Sequence, residues 1–279
     1  EFYELSTQTG ATKRDSWPDI DGGISTVFVF SSKARREMPN DHVYLDGPPE
    51  WLSREGTFVG QHVFTPKLGA AVHINAYNFP CWGMLEKLAP TLLAGVPAIV
   101  KPASSTAYLT ELMVRRIIDS GILPPGSLQL ICGGVGDLFD HLDCQDTIAF
   151  TGSKATAEKL QAQPRVVSES VAFTAETDSL NMSILGPDAV PGTPEFDLYI
   201  KEVVNEMTSK AGQKCTAIRR IIEEDRVDVI KLTPAHLGLV LPMDLSTSRL
   251  RTLIVGGEDF RVDLAAAAHR FFGGRVNIY

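Results

Sequence analysis

The sequence predicts an α/β fold built on a mostly parallel sheet, and three observations carry that reading. Between residue 68 and about residue 185, short apolar runs rich in β-branched residues alternate with longer stretches of helical periodicity. Gly or Pro bounds each short run, as expected where strands give way to loops. The chain has 279 residues, 44% hydrophobic and 22% charged, which is ordinary for a globular protein and enough for one large domain or two smaller ones.

Residues 1–9 read as a helix stopped at Gly10, with no evident partner ahead of the sheet. Strands are expected over 70–74, 98–101, 128–131 and 147–151, with helices between and after them over 82–94, 107–120, 135–142 and 154–163. The helix over 107–120 sets Leu109, Leu112, Met113 and Ile117 on one face and Arg115 and Asp119 on the other, with Gly121 as its C-terminal stop. A later helix, from Phe196 to about Ala211, repeats Phe196, Ile200, Val203, Val204 and Met207 at helical spacing. It delivers the chain to Gly212, so Cys215 is expected on the loop after a helix. Beyond Arg220 a strand is assigned over 252–255, a helix over 262–272 and a strand over 275–279. Residues 1–185 are expected to form one domain and 186–279 a second.

The net charge of −8 and the scattered basic pairs leave no electrostatic footprint for nucleic acid. The longest nearly uncharged stretch, 88–100, contains Pro90, Gly95 and Pro97 and is too short and too broken to span a bilayer. The opening residues lack the basic-then-apolar pattern of a signal peptide. Four cysteines without C-x-x-C spacing fit a reducing cytoplasm better than a disulfide framework, and neither they nor the six histidines have metal-ligand spacing. Cys81 and Cys132 read as small core fillers and Cys144 as a loop residue.

Cys215 sits in Gly212-Gln213-Lys214-Cys215-Thr216, which offers a flexible approach, backbone donors and a neighbouring cation to a thiolate nucleophile. A buried structural cysteine is the alternative. Asn78, before Phe79-Pro80, reads equally as a turn residue. Glu176 follows Val171-Ala172-Phe173 and precedes Leu180, an apolar setting that predicts a partly desolvated carboxylate, although a solvated strand-end glutamate fits as well. Thr151-Gly152-Ser153 opens a helix directly after a strand, so its N–H groups suit either a pyrophosphate or a plain Ser153 cap. There is no G-x-G-x-x-G; Gly133-Gly134-Val135-Gly136 is only a loose glycine cluster.

Five segments in order resemble the motifs of the aldehyde dehydrogenase superfamily: Asn75-Ala76-Tyr77-Asn78-Phe79-Pro80, Ile99-Val100-Lys101-Pro102, Ala149-Phe150-Thr151-Gly152-Ser153, Phe173-Thr174-Ala175-Glu176 and Gly212-Gln213-Lys214-Cys215. The resemblance covers about residues 68–220. It implies a Rossmann-like cofactor domain followed by an α/β catalytic domain, and a homo-oligomeric assembly. It also implies attack by the Cys215 thiolate on an aldehyde, with the Asn78 amide and the Cys215 N–H stabilising the oxyanion. Collapse of the thiohemiacetal expels hydride to the nicotinamide, and Glu176 is the implied base for thioester hydrolysis. Ala76, Tyr77, Lys101, Ser104, Thr151, Gly152 and Ser153 are the implied cofactor residues, with the glycine cluster as a wall on the adenine side.

Lys101 is expected on the adenosine ribose, where NAD-preferring members of the family commonly place a glutamate three residues later. Here that position is Ser104. Losing the carboxylate removes repulsion against a 2′-phosphate, and Lys101, Ser104 and Ser105 supply donors for it, so NADP is expected over NAD, with NAD usable. Ser104-Ser105-Thr106 is also suited to a simple helix start.

Longer runs, Ile74 to Lys87, Glu176 to Asn181 and Gly212 to Arg220, resemble the branch of the family that includes the dehydrogenase half of the phenylacetate-degradation bifunctional proteins, with the semialdehyde dehydrogenase of the benzoyl-CoA pathway a near cousin. That branch implies oxidation of a ring-opened, CoA-linked semialdehyde to the acid. An acylating dehydrogenase would be expected to lack Glu176, and a non-catalytic form of the fold to lack Cys215. Nothing here matches the family's Glu-x-Phe-Gly-Pro segment, and residues 252–279 resemble a later part of the same domain, so internal residues, the first strands of the cofactor domain and a hydratase domain are expected to be missing.

Overall fold

The computed structural model describes residues 1–179, 181–186, 188–218, 220–223, 229–232, 237, 241, 250–255 and 260–279. They form two compact units, Glu1–Thr177 and Asp178–Tyr279.

The first unit opens on helix α1 (Phe2–Ser6) and a long helix α2 (Lys13–Glu37) that the sequence reading leaves unassigned. Thr12 caps α2 by accepting the Asp15 N–H at 3.2 Å, and Pro18 lies inside the helix. Residues 1–9 therefore do have a partner, since Phe2, Tyr3 and Leu5 pack on the same apolar cluster as Ile20 of α2. An antiparallel hairpin follows, β1 (Tyr44–Trp51) and β2 (Val59–Phe64), forming a two-stranded sheet of its own. It too is missed by the sequence reading, because Gly47-Pro48-Pro49 interrupts β1 and neither strand buries an alternating face.

The main sheet of this unit has five parallel strands: β3 (Ala71–Ile74), β4 (Ala98–Lys101), β5 (Leu128–Leu130), β6 (Thr147–Gly152) and β7 (Ala172–Thr177), in the order β5-β4-β3-β6-β7. Helices α3 (Trp82–Leu93) and α4 (Ala107–Asp119) join α2 over one face, where Ile20, Leu85, Leu88, Leu109 and Met113 pack on Ala98, Val100 and Leu128. Short helices α5 (Lys154–Gln161) and α6 (Pro164–Ser168) cover the other face, with Ala157 and Val166 against Val72, Ile74, Ile148 and Phe150. Both faces are covered, which is why the strands read as continuous apolar runs. The helix expected over 135–142 is only a 3-10 turn, Leu138–His141, because Gly136 takes a left-handed φ of 56° at its start. Cys81 is buried as expected, whereas Cys132 is exposed and fills no core.

In the second unit β8 (Met182–Leu185) leads to α7 (Pro194–Thr208), capped by Thr193, which accepts the Phe196 N–H at 3.3 Å. The sheet order is β12-β11-β10-β9-β8, with β9 (Arg220–Glu223), β10 (Val229–Leu232), β11 (Thr252–Val255) and β12 (Asn277–Ile278). Helix α8 (Val262–Phe272) buries Ala268 and Phe272 with Leu250, Leu253 and Val276. The last strand is shorter than the span 275–279 because its ladder pairs only Asn277 and Ile278 with Thr252 and Leu253.

Candidate active site

Parallel strands bring their C-terminal ends to one edge of a sheet, and the registers show which residues meet there. Ile74 is opposite both Lys101 and Phe150, and Thr151 is opposite Glu176. Asn75 to Asn78, Lys101, Thr151 to Ser153 and Glu176 therefore share the carboxyl edge of the first sheet. Strand order reverses between β3 and β6, and in open α/β sheets ligands sit outside the carboxyl ends at that switch point.

Buried polar atoms of two side chains mark the switch. Asn75, directly after β3, is 4% exposed, and neither its Nδ2 nor its Oδ1 has a hydrogen-bond partner among the described residues; the buried Thr151 hydroxyl oxygen on β6 also lacks one there. A buried polar group left unpaired costs about 1–3 kcal/mol, so such groups at a strand switch point are where a ligand is favoured. The donor chemistry around them suits a dinucleotide: Lys101 is half-buried, with Nζ 3.2 Å from the Pro102 carbonyl, and Ser104 and Ser105 are exposed on the 3-10 turn Ser104–Thr106. Neither that turn nor α4 carries a side-chain cap, so the two serines are not serving as helix caps.

Ser153 does cap its helix, accepting the Thr156 N–H at 3.3 Å, with its Oγ 2.9 Å from the Thr156 hydroxyl. The cap reading and the phosphate reading are compatible, since a hydroxyl that accepts one bond can still donate its own proton. Gly152 admits no larger residue, because a Cβ there would lie 2.5 Å from the Phe150 ring. Ala76, Tyr77 and Asn78 are half-buried on the loop into α3. Glu176 is exposed, as are Thr174 and Ala175, so the apolar surroundings expected from its sequence neighbours are not found within this unit. Its place on the edge strand β7 exposes it.

Cys215 belongs to the second unit and is exposed on the loop after α7, as the helical periodicity predicts. Between helix and loop, Lys210, Ala211 and Gly212 all take positive φ, at 48°, 50° and 70°. A left-handed non-glycine residue costs roughly 1–2 kcal/mol, so this turn holds the chain in a strained path into the loop that carries Cys215. The neighbouring cation is already engaged, because Lys214 Nζ lies 2.7 Å from Glu206 Oε1. What anchors the loop instead is Asn181, whose side-chain amide donates to the Cys215 and Ala217 carbonyls. Asn181 and Asn75 carry no catalytic signal in the sequence beyond lying inside the quoted motif segments.

Residues 2–231 match the model of the aldehyde dehydrogenase family. Among curated proteins, the chain is 49% identical over 223 residues to the 3,4-dehydroadipyl-CoA semialdehyde dehydrogenase of Aromatoleum evansii, covering 80% of this chain and 43% of that protein. The chain thus spans less than half the length of that relative. Among solved structures it is similar to a betaine aldehyde dehydrogenase variant from Staphylococcus aureus in complex with NAD+, with 26% identity and a TM-score of 0.65 over 80% of this chain and 42% of that one. It also shares the fold of succinic semialdehyde dehydrogenase from Streptococcus pyogenes in complex with NADP+, with 15% identity and a TM-score of 0.63 over 99% of this chain and 51% of that one.

Proposed function

Because the chain belongs to the aldehyde dehydrogenase family, we propose that it carries the core of an enzyme that oxidises a CoA-linked semialdehyde to the carboxylic acid through a thioester on Cys215. The observation that carries this reading is the gathering of Asn78, Lys101, Thr151, Gly152, Ser153 and Glu176 on one carboxyl edge, at the switch between β3 and β6. The first unit, Glu1–Thr177, acts as the cofactor domain, and the second, Asp178–Tyr279, carries the nucleophile. The relative that acts on 3,4-dehydroadipyl-CoA semialdehyde supports a ring-opened product of aromatic catabolism as the substrate.

In this mechanism the Cys215 thiolate forms a carbon–sulfur bond with the aldehyde carbon, and the carbonyl electron pair moves onto oxygen. The Asn78 amide and the Cys215 N–H donate to that oxygen, where negative charge develops. Hydride acceptance, which oxidises this centre, is the chemistry that a bound nicotinamide would supply. Glu176 then takes a proton from water as the water oxygen bonds to the thioester carbon, and the sulfur leaves as thiolate with release of the acid. Lys101, Ser104, Thr151, Gly152 and Ser153, with Ala76 and Tyr77, would hold the dinucleotide. Ser104 and Ser105 place hydroxyls rather than a carboxylate three and four residues after Lys101, which favours NADP over NAD.

We assign the β1–β2 hairpin to self-association. Leu45, Trp51, Leu52, Phe58, Val63 and Phe64 are each more than half exposed on it, and an isolated two-stranded ribbon is marginal in water without a covering partner. No helix among the described residues is long and apolar enough to cross a membrane. The spacing of the four cysteines, which suits a reducing compartment better than a disulfide framework, supports the cytoplasm. The test is formation of reduced cofactor by the intact protein with 3,4-dehydroadipyl-CoA semialdehyde, which Cys215→Ala abolishes without weakening cofactor binding. Equal rates in the two proteins would overturn the reading.

A further inference from the structure

The structure assigns Asp19, Thr106 and Thr110 to a buried clamp that fixes the backbone on both sides of Asn78. The assignment rests on the reading of Asn78 as the oxyanion donor.

The loop from β3 to α3 must hold a side-chain amide still, yet Pro80 removes one backbone donor from it and the residue at the start of α3, Cys81, makes no side-chain cap bond. The anchors come from other elements. Thr106 donates to the Tyr77 carbonyl at 3.0 Å, on the residue just before Asn78. Thr110, on the first turn of α4, donates to the Pro80 carbonyl at 2.9 Å. Asp19, on α2, accepts the Cys81 N–H at 3.0 Å and the Trp82 N–H at 2.9 Å with the same carboxyl oxygen. A carboxylate at a helix N-terminus meets orphan N–H groups and the positive end of the helix dipole, so Asp19 serves as a cap supplied from a distant part of the chain.

The three anchors are buried: Asp19 is 1% exposed, Thr106 6% and Thr110 0%. The glycines of α2 make the approach possible. One helical turn beyond Asp19, a Cβ on Gly23 would lie 2.9 Å from Trp82 Cα, and a Cβ on Gly22 would lie 3.2 Å from the Trp82 ring. Pro18, Gly22 and Gly23, which look like helix breakers in the sequence, thus belong to the helix that carries Asp19 against the first turn of α3. Asp19, Thr106 and Thr110 act through the backbone beside Asn78 and are positioning residues.

The clamp is tested in the intact protein with 3,4-dehydroadipyl-CoA semialdehyde and NADP, using Thr110→Val, which keeps shape but removes the hydroxyl, and Thr110→Ser, which restores it. Thr110→Val is expected to lower kcat about tenfold or more, because small misplacement of an oxyanion donor weakens transition-state stabilisation. KM for the cofactor and the affinity for NADPH stay unchanged, and Thr110→Ser recovers at least half of the lost kcat. In an Asn78→Ala background Thr110→Val is expected to have no further effect on kcat. Asp19→Asn, which keeps the accepting oxygen, is expected to retain more kcat than Asp19→Ala at equal folded fraction by circular dichroism. The same fold-loss from Thr110→Val with and without Asn78, or no loss at all, would overturn the clamp while leaving Asn78 in its role. If Asn78→Ala itself leaves kcat unchanged, the oxyanion assignment fails and the clamp's purpose with it.

Discussion

The side-chain amide of Asn181 donates to the main-chain carbonyl of Cys215 and, at 3.1 Å, to that of Ala217. One residue before β8 thereby holds the stretch from Cys215 to Ala217, which follows a path out of α7 that is strained at Lys210 and Ala211. Asn181→Ala is expected to lower kcat about tenfold to a hundredfold with little change in cofactor KM, since a shift of the attacking sulfur by about an ångström has that scale of effect. Asn181→Asp should be no better, because its oxygens face two carbonyl acceptors. Steady-state kinetics of the two variants checks this.

Ser104 is exposed three residues after Lys101. Ser104→Glu is expected to move the ratio of kcat/KM for NADP over NAD about tenfold or more towards NAD, as a carboxylate repels a 2′-phosphate and accepts from a ribose hydroxyl. An unchanged ratio would remove Ser104 from cofactor selection.

Leu45 and Val63 are direct partners across the hairpin. Leu45→Glu with Val63→Lys keeps an attractive cross-strand pair but removes apolar surface. The double variant is expected to have a lower mass by light scattering than the native protein at the same concentration; equal masses would argue against the hairpin as the contact.

His73 lies buried on β3 with its Nε2 3.0 Å from the Thr91 hydroxyl, and burial, assisted by the charge of Lys87, lowers its pKa from 6.5 to about 4. The unfolded chain takes up the proton below about pH 6.5 while the native protein resists until about pH 4, so the unfolded state binds more protons in that window. Stability is fully present above pH 6.5 and is lost as pH falls towards 4, by roughly 1.4 kcal/mol per pH unit from this group. His73→Gln, which can still meet Thr91, should flatten that part of the stability profile in chemical denaturation. The same slope in the variant would show that other groups set it.

The parallel sheet was legible because Val72, Ile74, Val100 and Ile148 are buried in strands covered on both faces and leave continuous apolar runs. Helix α2 was not legible, because Pro18, Gly22 and Gly23 break local propensity and only the packing against α3 explains them. The same contrast divides the site. Lys101, Thr151, Gly152 and Ser153 fall at strand ends and helix starts that periodicity locates, whereas Asp19, Thr110 and Asn181 act through hydrogen bonds to backbone 62, 30 and 34 residues away. No local pattern encodes such partners. The exposed Glu176 and the ion-paired Lys214 show the converse limit, since apolar or basic neighbours in sequence do not fix the surroundings of a side chain.

The most direct test of the proposed chemistry is mass spectrometry of the peptide containing Cys215 after rapid mixing of Glu176→Gln protein with NADP and 3,4-dehydroadipyl-CoA semialdehyde. The mechanism predicts a burst of about one equivalent of reduced cofactor per site and an acyl group on Cys215 that hydrolyses slowly. A burst without acylation of Cys215, or the same turnover in Cys215→Ala, would contradict it.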